Sequence, residues 1–252
     1  MSGSYTVFSE FYDSLTSNVH YGDRADYIEA LLKRCNHNPG ITLDLACGTG
    51  SLTIELKKRG FDIYGADGSS DMLMIAQQKA YDEELSILFL CQKMQKLDLY
   101  GTIDTCICTL DSLNHIINKE ELQTAFDKVS LFMNEGGIFV FDVNTVYKHK
   151  SVLADNVFVY DKSSVFCVWQ NTPLENNITR IDLDFFERSG NVYHRSSESF
   201  CERAYTDKEL EEIISKAGFE ILDIFGEMTF EPPKENSQRN IYIVKKVKKT
   251  EV

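Results

Sequence analysis

The segment whose residue types and spacing carry the clearest chemistry is LDLACGTG, residues 43–50, followed by an aspartate, Asp67, at the end of the next predicted strand. Gly48 and Gly50 allow a sharp backbone turn and leave room for a ligand where a Cβ atom would collide. The N-terminus of the helix after such a turn favours a negative group. Asp67 can accept hydrogen bonds from both hydroxyls of a ribose. These residues predict a binding site for an adenosine-containing ligand.

The residue at position 53 distinguishes between such ligands. A dinucleotide-binding turn has the form G-x-G-x-x-G/A, in which the last small residue lets the helix pack closely against the pyrophosphate. This chain reads GTGSLT, so Thr53 stands where Gly or Ala is expected. That weakens one alternative function, an NAD-dependent oxidoreductase. A non-catalytic nucleotide-binding module is a second alternative, because its glycines and its aspartate would look the same.

The sequence resembles the class I S-adenosylmethionine-dependent methyltransferases. Their first motif has the form [LVI]-[DE]-[LV]-[AG]-C-G-x-G, and their second strand ends in an acidic residue followed by S-x-x-M-L. This chain has Leu43 to Gly50 and then DGSSDML from Asp67. The order of predicted elements agrees over nearly the whole chain, including a reversed seventh strand at residues 240–247. The segment RAYTDKEL and the antiparallel strands before it resemble the small-molecule branch that includes sugar-amine and glycine-type methyltransferases.

The resemblance implies S-adenosylmethionine as cofactor, S-adenosylhomocysteine as product, and a role for each matching residue. Asp44 would orient the loop and meet the methionine ammonium, and Asp67 would hold the ribose. Similar enzymes usually have Asp where this chain has Lys93, which cannot accept from the adenine amino group, so only a backbone contact at Met94 is carried over. The cofactor-binding residues implied are Tyr12, Tyr21, Asp44, Ala46, Gly48, Gly50, Asp67, Gly68, Met72, Met94 and Leu110. For Tyr12 and Tyr21, helix and loop packing is the alternative.

The run TLDSLNH, residues 109–115, follows the fourth predicted strand, and the resemblance places it beside the sulfonium and the methyl acceptor. His115 is the candidate catalytic base, because an imidazole titrates near neutrality. A structural histidine at a helix start is the alternative. The candidate substrate contacts are Asp111, Trp169, Tyr193 and His194. An Asx-turn is the alternative for Asp111, and packing of the small sheet is the alternative for the other three.

No metal is expected, because His20, His37 and His149 lie in separate segments without metal-ligand spacing. The seven cysteines are odd in number and lie mostly in apolar runs, which indicates reduced core residues.

Strands alternate with helices from residue 41 to residue 144, which indicates a mostly parallel sheet covered on both faces. Four strands without intervening helices follow. We therefore predict an α/β fold: a Rossmann-like, seven-stranded, mostly parallel sheet with an antiparallel last strand, plus a small antiparallel β insert. The predicted division is an N-terminal segment closing over the cofactor (1–40), a cofactor-binding core (41–144), a substrate-covering insert (145–205) and the completion of the core (206–252).

The amino-acid composition restricts the kinds of molecule that the chain is expected to bind. The 252 residues carry a formal net charge of −13, which disfavours binding to the phosphate backbone of a nucleic acid. RNA methylation is therefore an alternative rather than the preferred function. The sequence contains neither a secretory signal nor a run long enough to span a membrane, so a cytoplasmic monomer or homodimer is expected. The predicted function is methyl transfer to a small-molecule amine, sugar or carboxylate.

Overall fold

The computed structural model describes residues 19–247. Its strands are β1 (Ile41–Leu45), β2 (Asp62–Asp67), β3 (Phe89–Cys91), β4 (Ile103–Cys108), β5 (Met133–Asn144), β6 (Val157–Asp161), β7 (Val165–Pro173), β8 (Ile178–Ser189), β9 (Val192–Arg203), β10 (Phe219–Gly226) and β11 (Arg239–Lys246). Its α-helices are α1 (Tyr21–Arg34), α2 (Ser51–Lys58), α3 (Ser70–Asp82), α4 (Lys119–Phe132) and α5 (Asp207–Lys216). Short 3₁₀ turns lie at Met94–Lys96 and Ser112–His115, and a π-helical turn lies at Lys148–Leu153.

Seven strands form the main sheet in the order β10-β11-β5-β4-β1-β2-β3. Strands β1 to β5 pair in parallel, and β11 runs antiparallel to both β5 and β10. The predicted fold class is confirmed, including the reversed strand. Because β1, β2 and β4 run parallel side by side, the residues that follow them meet at one edge of the sheet.

The main sheet is buried on both faces, as parallel sheets generally are. On one face Phe139, Phe141 and Tyr242 pack with α4 and α5, and the rings of Phe141 and Tyr242 stack with centroids 5.1 Å apart. On the other face Ile138 and Val140 pack with α1 and α2. These alternating side chains of β5 explain why its central run from Ile138 to Phe141 is continuously apolar. The packed side chains on the two faces of the sheet hold its carboxyl-terminal edge in place.

The second sheet is a four-stranded antiparallel meander in the order β6-β7-β8-β9. Along β8, Ile181, Leu183 and Phe185 are buried, whereas the residues between them are not. This alternation of buried and accessible side chains is typical of an antiparallel sheet with one face in water. The end of β9 is tied to the main domain, because Asn114 Nδ2 donates a hydrogen bond to the Arg203 carbonyl at 2.8 Å. This contact brings the last residues of β9 beside the Ser112–His115 turn.

Local signals in the sequence fix two helix starts. Thr206 and Glu209 form a capping box at the start of α5, with the Glu209 carboxylate accepting from the Thr206 N–H at 2.9 Å. Ser69 rather than Ser70 caps α3, accepting a hydrogen bond from the Met72 N–H at 3.3 Å. Within residues 19–247, none of the helices has the length and apolar character that a membrane crossing requires.

Candidate active site

The glycine turn between β1 and α2 is shaped by two positive φ angles. Gly48 has φ +54° with open space where a Cβ would stand, and Gly50 has φ +73°. A Cβ on Gly50 would lie 2.9 Å from the Ala76 Cβ, so Gly50 is required for packing against α3. The open side of Gly48 is what the close approach of a ligand requires.

Asp67 at the end of β2 is bonded to this turn. Its Oδ2 accepts from the Gly48 N–H at 2.9 Å, and its Oδ1 accepts from the Ser69 N–H at 2.8 Å. Burial raises the pKa of Asp67, and these backbone hydrogen bonds oppose the increase. A carboxylate has about four lone-pair positions, so acceptor capacity is left for ribose hydroxyls. The side chain thus positions the turn and still fits the predicted ribose contact.

Asp44 lies in β1, buried below the turn. Its Oδ2 accepts a hydrogen bond from the Thr53 hydroxyl at 2.5 Å. Burial raises the pKa of Asp44 to about 7; the Thr53 hydroxyl opposes this, and the nearby Asp67 adds to it. Thr53, which departs from the dinucleotide pattern, is therefore the partner of Asp44. A cationic group beside Asp44 would favour its ionised form.

A cleft opens at the ends of β1 and β4. It is lined by Tyr21, Asp44, Ala46, Cys47, Gly48, Thr49, Ser51, Leu52, Thr109, Leu110 and Ser112. Five of the predicted cofactor residues thus line one cleft, namely Tyr21, Asp44, Ala46, Gly48 and Leu110. Tyr12 lies outside the described residues.

The predicted adenine side lies beyond Asp67. Gly68 is exposed beside Lys93, whose Cγ would be 3.2 Å from a Cβ at position 68. Met72 is buried in α3, and Met94 is half-buried in the following 3₁₀ turn. Their contacts with an adenine stay predictions.

The loop after β4 is held in a strained conformation by one buried carboxylate. Leu110 and Asp111 have φ +58° and +55°, a region that non-glycine residues rarely occupy. Asp142 in β5 accepts from both of their backbone N–H groups, at 2.8 Å and 2.7 Å. Asp142 therefore fixes the backbone at the wall of the cleft.

Two arginines surround the same carboxylate. Arg24 of α1 lies 3.4 Å from Asp142, and Arg239 of β11 lies 3.5 Å from it. Arg239 also donates to Asp111 at 2.5 Å. Burial disfavours ionisation of Asp111, but the Arg239 charge, with Lys148, lowers its pKa to about 2. The Asx-turn alternative for Asp111 is wrong, since its side chain makes no cap hydrogen bond.

His115 ends the 3₁₀ turn beside the small sheet. Its ring lies 5.1 Å from the Phe200 ring, and its Nε2 lies 3.7 Å from Glu202 Oε1. Burial lowers the pKa of His115, and the charge of Asp111 opposes that decrease. Burial raises the pKa of Glu202 to about 8, and Asp111 adds to the increase. The cluster between the 3₁₀ turn and the end of β9 thus combines an imidazole with two carboxyl groups.

The other predicted substrate residues lie away from this cluster. Trp169 is half-buried in the small sheet, where its Nε1 donates to Asn171 at 2.7 Å. Tyr193 and His194 are exposed and pair with Arg188 and Glu187 near the far hairpin. His194 is eight residues before Glu202 on β9, which is roughly 26 Å along a strand. Their substrate contacts stay predictions.

Sequence reasoning missed Asp142, Glu202, Arg239 and His149. Asp142 had a readable signal, because it is the only charged residue in the apolar run IFVFDV. Nothing in the sequence singled out Glu202, which is the last residue but one of β9. Nothing in the sequence indicated that His149 would be buried beside it.

Fold and site together define a Rossmann-like protein with a cleft at the carboxyl ends of β1 and β4 and a carboxylate, Asp67, at the end of β2 bonded to the glycine turn. The family profile of the methyltransferase domain matches residues 42–137. The candidate methyltransferase YqeM of Bacillus subtilis (strain 168) is 32% identical over 246 residues, covering 97% of this chain and 98% of that protein. The chain belongs to the S-adenosylmethionine-dependent methyltransferases.

Solved structures agree with this assignment. A crystal structure of an S-adenosylmethionine-dependent methyltransferase from Clostridium acetobutylicum ATCC 824 is 33% identical, with a TM-score of 0.88 over 98% of this chain and 100% of that chain. The S-adenosylmethionine-bound structure of an amino pentose methyltransferase from Micromonospora echinaspora shares the fold at 17% identity, with a TM-score of 0.77 over 94% and 96% of the two chains.

Proposed function

We propose that this chain transfers the methyl group of S-adenosylmethionine to a small-molecule acceptor held between the main sheet and the small sheet. The observation that carries the proposal is the position of the loop 109–115. Leu110 lines the cofactor cleft, and His115, at the end of the same loop, lies against Phe200 and Glu202 of the small sheet. Cofactor and acceptor would therefore lie on the two sides of one rigid loop.

The residues of the cleft fit the cofactor. Gly48 offers an open backbone, Asp67 offers carboxylate oxygens for a ribose, and Asp44 offers a buried carboxyl group for an ammonium. When bound, the cofactor supplies a methyl group activated by its sulfonium. The chain's own task is to hold the acceptor in line and to keep water away, which can supply about 7–11 kcal/mol. Asp142 serves this task by fixing Leu110 and Asp111.

Two further observations support a small acceptor. The small sheet is tied to the 3₁₀ turn by the hydrogen bond from Asn114 to Arg203, so we expect it to cover a small acceptor bound beside that turn. The net charge of −13 disfavours RNA. The amino pentose enzyme of the same fold also methylates a small molecule, and for this chain we propose an amine, sugar or carboxylate acceptor.

The test is a panel of acceptors with detection of S-adenosylhomocysteine. The panel contains small amines, amino sugars, hydroxylated sugars, small carboxylic acids and a short RNA, each with and without added Mn²⁺. We expect turnover with a member of one small-molecule class and none with RNA. The Asp67→Ala variant serves as the blank for contaminating activities. Turnover with RNA alone would contradict the proposal, and binding of cofactor without turnover would favour the non-catalytic module.

A further inference from the structure

Four side chains with metal-binding atoms converge on the acceptor side of the cleft. Asp111, His115 and Glu202 each offer a ligand atom, and these three atoms lie within 4.8 Å of one another. They come from the loop after β4, the 3₁₀ turn that follows it and the end of β9. The fourth side chain, His149, comes from the π-helical turn, and its Nε2 lies 3.8 Å from Glu202 Oε2. The cluster is thus assembled from distant parts of the chain by the fold.

His149 is an independent indication that this cluster binds something. The residue is only 2% exposed, and within residues 19–247 its Nε2 has no hydrogen-bond partner. Its Nδ1 lies 3.0 Å from the Thr179 hydroxyl, which fixes the ring. A buried imidazole nitrogen without a partner carries an uncompensated desolvation cost. Glu202 cannot compensate it directly, since 3.8 Å is too long for a hydrogen bond.

The atoms that face the centre of the cluster are acceptors. The Thr179 hydroxyl holds Nδ1 of His149, which leaves Nε2 as the ring atom facing the cluster, and a neutral imidazole has one N–H and one nitrogen with a lone pair. If the Nδ1 proton is donated to Thr179, the Nε2 lone pair faces the Glu202 carboxyl group. Two lone pairs facing each other require a proton or a cation between them.

The neighbouring positive side chains have other partners. Arg239 binds Asp111, Asp142 and Glu227 from one side. Lys148 Nζ donates to the Asn144 side chain at 2.9 Å. Asn144 in turn donates to Glu202 Oε2 at 3.4 Å. These contacts keep the carboxyl groups in position and leave the imidazole side of Glu202 open.

We propose that Asp111, His115, His149 and Glu202 form a binding site for a divalent transition-metal ion. Mixed imidazole and carboxylate ligands suit Zn²⁺, Mn²⁺ or Fe²⁺ rather than Ca²⁺. Such ligands bind at about 2.0–2.2 Å, which puts neighbouring ligand atoms roughly 3–3.5 Å apart. The observed separations of 3.7 and 3.8 Å need only a small inward movement.

The role of this ion rests on the proposed function, because the ion would lie where the methyl acceptor is proposed to enter. It would bind and orient an acceptor oxygen or nitrogen beside the methyl group. His115 would then act as a ligand and not as the base predicted from the sequence, because a metal-bound imidazole nitrogen cannot take a proton. The sequence predicted no metal because these residues are not spaced as a motif.

The test is a metal titration of the full chain. Protein stripped with EDTA and dialysed is titrated with Mn²⁺ and, separately, with Zn²⁺ by calorimetry, and bound Mn²⁺ is followed by electron paramagnetic resonance. We expect one ion per chain at micromolar or tighter affinity. Glu202→Gln and His115→Gln should each weaken binding at least about tenfold. The matched controls His20→Gln and Glu187→Gln, which replace exposed residues outside the cluster, should bind like the wild type.

His149→Gln tests the buried ligand, and His115→Gln, at a half-exposed position, keeps the test available if a buried variant fails to fold. No binding by the wild type would overturn the proposal and would mean that a proton occupies the cluster. Equal binding by Glu202→Gln would also overturn it. S-adenosylhomocysteine binding by the stripped protein is measured in parallel. Cofactor binding without metal binding would reject the metal site alone, whereas loss of cofactor binding would reject the proposed function.

Discussion

Asp44 and Asp67 lie on neighbouring parallel strands, yet their surroundings give them different properties. Asp67 accepts two backbone hydrogen bonds at the end of its strand, whereas Asp44 is buried with one hydroxyl partner. Both were predicted to bind the cofactor. The structure adds that one is already engaged with the glycine turn and that the other is a buried acid whose charge a ligand would control.

Replacing Asp67 with Ala should weaken binding of S-adenosylmethionine and S-adenosylhomocysteine by about 1.5–3 kcal/mol, because charge-assisted hydrogen bonds to the ribose are lost. Calorimetry measures both affinities. Asp62→Ala, at the exposed start of the same strand, is the matched control. An unchanged affinity in Asp67→Ala would mean that the ribose lies elsewhere.

Binding of S-adenosylmethionine should depend on pH near neutrality through Asp44. Its pKa is about 7 in the free protein, raised by burial. A bound methionine ammonium favours the ionised carboxylate, so binding releases a proton. Affinity should therefore fall as the pH drops below about 7, by up to about tenfold per pH unit.

The proton release is counted by calorimetry in buffers of different ionisation enthalpy. Adenosine is the control ligand, because it keeps the ribose contact but lacks the ammonium. Its affinity should not vary with the protonation of Asp44. In Asp44→Asn the pH dependence should disappear. If S-adenosylmethionine bound equally well from pH 6 to pH 8, the ammonium would not lie beside Asp44.

Among the elements, the loop after β4 shows how a residue of one strand, Asp142 of β5, fixes the backbone that follows another strand. From the family resemblance, its sequence TLDSLNH was expected beside the sulfonium and the methyl acceptor, and in the structure Thr109, Leu110 and Ser112 line the cleft. Its conformation was not predictable, since the left-handed φ angles of Leu110 and Asp111 depend on a carboxylate in another strand. The capping box of α5 shows the opposite case, because both of its partners lie within four residues.

Asp142→Asn should destabilise the protein by about 3 kcal/mol, because two buried arginines lose their charge partner and the loop loses a charge-assisted hydrogen bond. Urea unfolding measures the free energy, and hydrogen exchange at the backbone N–H groups of Leu110 and Asp111 should become faster. Asp161→Asn, at an exposed position of β6, is the control. Unchanged exchange in Asp142→Asn would show that the loop is held by other contacts.

For the molecule as a whole, local patterns in the sequence predicted a mostly parallel sheet with a small antiparallel insert, and the family resemblance predicted the reversed strand at residues 240–247. Neither predicted the Glu202 and His149 pair. These residues lie 53 positions apart in the chain, and they meet where the end of β9 lies beside the Ser112–His115 turn. Glu202 lies near the end of β9, where the small sheet contacts the main domain.

The whole molecule should be stabilised by its cofactor product. At a concentration of S-adenosylhomocysteine about 100 times its Kd, linkage adds about 2.7 kcal/mol to the free energy of unfolding. For a protein of this size the expected increase in Tm is roughly 5–10 °C. NAD at the same concentration should leave Tm unchanged, and Asp67→Ala should reduce the shift given by S-adenosylhomocysteine. A shift with NAD and none with S-adenosylhomocysteine would revive the oxidoreductase alternative.

The most direct test of the cofactor site is a crystal structure of the full chain with S-adenosylhomocysteine. We predict the ribose hydroxyls on the Asp67 carboxylate, the amino acid part beside Gly48 and Asp44, and the sulfur facing the loop that ends at His115. A ligand bound at another surface, or a cleft left empty at saturating concentration, would contradict the account.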